Sequence, residues 1–150
     1  MSQQRVKRLG IVLKMAEQKE QQDLQTWGRY QQQLDAEKAK FTQLEEYMTE
    51  YRNTLTSNQS TMIQGGQVQN TIAFIEQIKE ACGHQQAQIN LIQQQADGAQ
   101  RVYLEARAKA EALRKLITKL SKQVSAVIDK QEQKLMDDYC VDSMAGGSQK

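Results

Sequence analysis

The side chains in this 150-residue chain that could carry out chemistry are few and scattered. His84 is the only histidine, so imidazole acid–base catalysis or a multi-histidine metal site has almost nothing to build from. Cys82 and Cys140 are the only cysteines. Two are too few for a disulfide framework and fit a reducing cytoplasm. Cys82 falls on an apolar repeat, where a small inert core residue is the plainer reading than a nucleophile. Cys140 has no neighbour that suggests a function for its thiol. Gly65-Gly66 lacks the Lys and Ser/Thr that a phosphate-cradling loop requires. The residue types therefore argue against an enzyme, and no cofactor, metal or small-molecule substrate is expected.

The elements that hold these residues are legible from what the chain omits. Proline is absent; inside a helix it costs about 3 kcal/mol, so its absence permits very long helices. Steps of seven from Val6 visit Leu13, Glu20, Trp27, Leu34, Phe41, Met48 and Leu55. Three residues after each starting position come Leu9, Ala16, Asp23, Tyr30, Glu37, Leu44 and Tyr51. This is the a/d seam of a coiled coil, with polar lapses at Glu20, Asp23 and Glu37. Trp27, at an a position, reads as a packing anchor. A second seam runs through Val68, Ile75, Cys82, Ile89, Ala96, Tyr103, Ala110, Ile117 and Val124. Its companions are Ile78, Gln85, Ile92, Ala99, Ala106, Leu113, Leu120 and Val127. Beyond Val127 the register slips, and Ile128, Leu135 and Tyr139 take over the stripe, as after a four-residue stutter.

Between the seams lies TSNQST at 56–61, then Gly65-Gly66, the only cluster of turn-forming residues before the C-terminal tail. The predicted fold is all-α: a long antiparallel two-helix coiled coil, a helical hairpin whose second helix is longer. One coiled-coil domain spans 1–150, with helix one at about 4–57, a turn at about 58–68, helix two at about 69–142 and a disordered tail at about 143–150. Folding about the turn sets Tyr51 near Phe74, Tyr47 near Ile78 and Val6 near Lys119. The hairpin would be about 80 Å long, with helix two projecting about 30 Å beyond the start of helix one. Such a rod offers no substrate pocket.

Charge is segregated along it. Residues 101–134 hold nine Lys or Arg and four acids, and Arg5, Lys7, Arg8 and Lys14 join them at the same end of the hairpin. Residues 53–100 hold one basic residue, three acidic ones and twelve Gln. The basic end is either a solvated face or a surface that docks into an acidic partner. A DNA-binding coiled coil would need a sustained basic region, which the interspersed acids interrupt. No run of about 18 apolar residues spans a membrane, and no secretory leader is recognisable. A membrane-surface helix is disfavoured because the apolar stripe is used as a seam. Aromatic side chains number eight, yet Leu44, Tyr47 and Tyr51 share one helix face, and Phe74, Ile78 and Ala81 share the facing one. These form either the core of the hairpin tip or, because two helices cannot bury them all, a partner site.

Three segments carry a resemblance. LEEYMTEYRNTL at 44–55 contains Tyr47-x3-Tyr51-Arg52-x2-Leu55; IAFIEQI follows at 72–78, and DKQEQKLMDDY at 129–139. In this order, around one turn, they resemble the FliJ family of flagellar type III export proteins over nearly the whole chain. The resemblance implies a coiled coil similar to the gamma subunit of rotary ATPases. It also implies a cytoplasmic protein, peripheral at the inner-membrane export apparatus. The implied partners are the hexameric export ATPase, the cytoplasmic part of the export-gate membrane protein, export chaperones and an ATPase regulator, with no nucleic acid. The implied gate-binding residues are Lys40, Leu44, Tyr47, Tyr51, Phe74, Ile78, Ala81 and Gln85. Where some members place a histidine last, this chain has Gln85, with His84 adjacent. If the joined termini enter the ATPase ring, Arg5, Lys7, Arg8, Arg114, Lys115, Lys119 and Lys122 are the expected contacts. The equivalent stalk of a virulence secretion system is the alternative with the same architecture.

Overall fold

The computed structural model describes residues 2–57 and 65–147. They form two helices, α1 (Ser2–Ser57) and α2 (Gly65–Gly147), packed against each other as a helical hairpin with the second helix longer. Every described residue is helical, and there is no positive φ. Neither helix has an acid in its first turn or a base in its last, so charge–dipole pairing at the ends adds nothing. The seam between the helices is what holds them.

The boundaries differ from those expected. Residues 65–68, assigned to the turn, open α2 instead. The first N–H groups of a helix lack intrahelical partners in any case, so Gly65 and Gly66 sit where glycine weakens a helix least. At the other end α2 runs through 143–147, assigned to the tail, where Met144 and Ala145 favour helix. Residues 58–64, expected as the turn, and residues 148–150, expected in the tail, lie outside the described residues.

The chain divides into two compact units, 22–103 and 1–21 with 104–150. In the first, the seam positions of α1 are buried or half-buried from Asp23 to Leu55, Tyr51 excepted. From α2, Ile75, Ile78, Cys82, Ile89, Ile92 and Ala96 are buried. Leu34, only 3% exposed, clusters with Ile89 and Ile92, and Phe41 packs against them. Trp27 stacks on Tyr103 with ring centroids 5.7 Å apart, which fills the seam as an anchor does. Its indole Nε1 is buried with no hydrogen-bond partner among the described residues.

In the second unit Val6, Leu9, Leu13, Ala16 and Glu20 are half-buried, against Ala106 and Ala110, which are buried, and the half-buried Leu113, Ile117, Leu120 and Val124. Burial ends there. From residue 125 to Met144 every side chain of α2 is exposed, including the shifted stripe of Ile128, Leu135 and Tyr139.

Candidate protein-interaction surfaces

Two surfaces come from the sequence, and each lies within one compact unit. The first is the aromatic level near the tip. On α1 the four-residue spacing of Tyr47 and Tyr51 lines up their side chains, and the antiparallel register sets Tyr51 against Phe74 of α2. Their rings meet edge to face, with centroids 4.8 Å apart, a geometry aromatic quadrupoles favour. Two helices cannot cover them: Tyr47 is 44%, Tyr51 36% and Phe74 43% exposed. Ile72, half exposed, extends the apolar area. The Tyr47 hydroxyl accepts a hydrogen bond from Gln43 at 3.0 Å. Glu46 and Glu50 lie exposed on the flank of Tyr47 on α1, so the aromatic patch has an acidic border.

The other residues of this set divide. Leu44 and Ala81 are half-buried at the patch edge, and Lys40 is exposed. Ile78 is buried in the seam at 6% exposure, so it supports the patch from beneath. Gln85 is turned inward. Its side-chain amide donates to the main-chain carbonyl of Glu37 at 3.0 Å and also to the Glu37 carboxylate. Lys40 approaches the same carboxylate at 3.3 Å. The Gln85 hydrogen bond, and after it Lys40, holds the Glu37 carboxyl below the usual glutamate range, against the opposing effect of burial. Sequence spacing places Glu37 and Gln85 on the seam but does not show that they bond. The signal was present in the coincidence of one polar lapse on each helix.

The second surface is basic. Arg5, Lys7, Arg8, Lys115, Lys119 and Lys122 are exposed in the unit of 1–21 and 104–150. Arg114 differs, since its Nε meets Glu17 and its Nη2 meets Glu20, each at 3.3 Å. It staples α2 to α1 across the Glu20 lapse, and a ring of acidic groups would have to compete with those two carboxylates. Such half-exposed pairs contribute at most about 1 kcal/mol.

Among the described residues no group of three or more His, Cys, Asp or Glu is placed to hold a metal ion. Cys82 is buried and Cys140 exposed, both as free thiols. No described helix is long and apolar enough to cross a membrane. What the geometry provides is a length of paired helix with an acid-bordered aromatic patch and a separate cluster of cations. Comparison with known proteins agrees with that reading. No curated protein and no solved structure matches this chain. The family model described as flagellar FliJ protein matches residues 5–146, which include both surfaces and all three resembling segments. The chain belongs to the flagellar FliJ family.

Proposed function

We propose that this chain serves flagellar type III export as a non-enzymatic coiled-coil adaptor. It binds the hexameric export ATPase and promotes ring assembly, and it binds the cytoplasmic part of the export-gate membrane protein. It also engages export chaperones and the ATPase regulator. It works in the cytoplasm, peripheral at the inner membrane. Family membership supports the coarser statement, that the chain is a flagellar export component. The observation that carries the finer one is the exposed edge-to-face pair of Tyr51 and Phe74 beside Tyr47. Aromatic side chains left half in water on a two-helix scaffold are the usual anchors of a protein interface. The basic residues of the other unit supply an electrostatically distinct contact, which suits a protein that must hold two partners at once.

The proposed gate contacts are Lys40, Leu44, Tyr47, Tyr51, Phe74 and Ala81, with Ile78 and Gln85 supporting them from the seam. The test is Tyr47→Ala with Phe74→Ala, assayed for binding to the purified gate domain and the purified ATPase, and for motility. Gate affinity should fall at least tenfold and motility with it, while ATPase binding is retained. Equal loss of both interactions, or undiminished gate binding, would refute the assignment.

A further inference from the structure

Beyond Val124 no side chain of α2 up to Met144 is buried, yet this stretch is strongly sided. At about 100° per residue, Leu135, Tyr139, Met136, Cys140 and Met144 occupy half of the helix, with Ser143 the one polar residue among them. Leu135, Met136, Tyr139 and Met144 are each at least 65% exposed. Asp137 borders one edge of this half, and Asp138 with Asp142 borders the other. No Lys or Arg lies between 135 and 144. A Met-rich apolar face without β-branched residues adapts well to a facing helix, and its acidic margins select one with basic margins.

The same compact unit presents that complement on α1. Ile11 and Met15 are 64% and 65% exposed, and Val12 lies beside them, on the side turned away from the seam residues Leu9, Leu13 and Ala16. Lys7 and Lys14 flank this apolar strip on one side and Arg5 on the other, and Arg8 rises within it between Met15 and Val12, all four exposed. The two faces do not meet within one molecule, because both are open to solvent. Nor can the acidic segment fold back, since α2 is helical without a break through Gly147.

We propose that two copies of this chain pair reciprocally, the 135–144 face of each docking on the 5–15 face of the other. A two-fold axis makes both contacts identical, as isologous dimers require. Each contact spans about ten residues, or about 15 Å of helix. Two of them bury about 1,200 Å², the lower end for specific interfaces, where pairing is weak. The flanking charges are solvent-exposed, so pairing weakens with salt. The pairing does not rest on the export reading. It covers Arg5 and Arg8, so a paired molecule cannot also use them on an ATPase ring.

Sedimentation equilibrium of the whole chain under reducing conditions tests this. At about 100 µM protein and low salt the mass should approach twice the 17.2 kDa of one chain. The Kd should rise at least tenfold between about 0.05 and 0.5 M NaCl. A variant with Asp137→Lys, Asp138→Lys and Asp142→Lys should be monomeric. So should one with Arg5→Glu, Arg8→Glu and Lys14→Glu. An equimolar mixture of the two variants should dimerise again, because each then offers the other a complementary face at both contacts. A wild-type chain that stays monomeric at low salt overturns the proposal whatever the variants do. So does a triple reversal that leaves the dimer intact, or a mixture of helical variants that stays monomeric.

Discussion

Replacing four interior glycines with alanine should stabilise this protein substantially. Gly10 and Gly28 lie inside α1, Gly83 and Gly98 inside α2. None has a positive φ, and a Cβ built on any of them meets nothing within 4 Å. Each position therefore bears glycine's entropic cost without using its freedom. Alanine is better in a helix interior by about 0.8–1 kcal/mol, so the four together are worth roughly 3–4 kcal/mol if they add. Additivity is least secure for Gly28 and Gly98, which both lie within about a turn and a half of the Trp27–Tyr103 stack. At about 2–4 °C per kcal/mol for a chain of this size, the quadruple variant should melt roughly 6–16 °C higher. Circular dichroism at the helical minimum gives the melting temperature, and a cycle of single and double variants measures the coupling. A quadruple variant that melts at or below the wild-type temperature would refute the reasoning, since some glycine would then be needed to bend or loosen its helix. Motility in a strain carrying the stabilised variant separates the two roles: a higher Tm with lost motility would mean that the helices flex in use.

Other perturbations follow from single contacts. Leu34→Ala empties the cluster with Ile89, Ile92 and Phe41 and should cost about 2–3 kcal/mol, the lower part of the Leu→Ala range because two helices can close on a gap; a chemical melt that loses under 1 kcal/mol would count against a packed seam there. The Glu37 carboxyl titrates below the usual glutamate range because Gln85 bonds to it. A folded-state pKa below the unfolded one gives stability that is present above the ordinary glutamate range and is lost as pH falls through the folded value. Gln85→Ala should therefore flatten the acid side of the stability–pH curve, and an unchanged urea midpoint profile below about pH 5 would be the contrary result. Lys119→Glu with Lys122→Glu should weaken stimulation of the export ATPase while leaving helicity intact, and undiminished stimulation would remove the basic surface from the ring contact.

The fold was legible because a coiled coil advertises itself at fixed intervals. Each seam position of α1 named from the heptads is buried or half-buried, Tyr51 excepted, and the polar lapses at Glu20, Asp23 and Glu37 are among them. The heptads also carried the register, which brings Tyr51 onto Phe74. Periodicity reports which side of a helix is covered, and it ends where its partner ends. It could not show that Val127 is 55% exposed, because an unpaired seam reads like a paired one. The apolar strip of Ile11 and Met15 was equally hidden: off-seam hydrophobic residues are common on helices, and only their exposure beside four cations makes them distinctive. Helix ends were the least legible, since Gly-Gly signals a turn in sequence but is tolerated in a first or last turn.

The polar lapses on α1 have a structural use that stability alone does not explain. Glu20 faces Arg114 within one unit, and Glu37 faces Gln85 within the other. An apolar seam of Leu, Ile and Ala can slide by seven residues and still bury similar area, a shift of about 10.5 Å along the axis. A half-buried carboxylate cannot slide so freely, because losing its donor leaves a charge facing apolar side chains. One polar residue at an a or d position is known to fix coiled-coil register at some cost in stability. In the unit that carries the aromatic patch, that role falls to Glu37 and Gln85. Gln85, taken from the family pattern as a binding residue, then acts through the seam: it sets the register that places Tyr51 against Phe74. A seven-residue slip would separate those rings by more than the width of a helix turn, and the exposed aromatic surface would no longer exist as one patch.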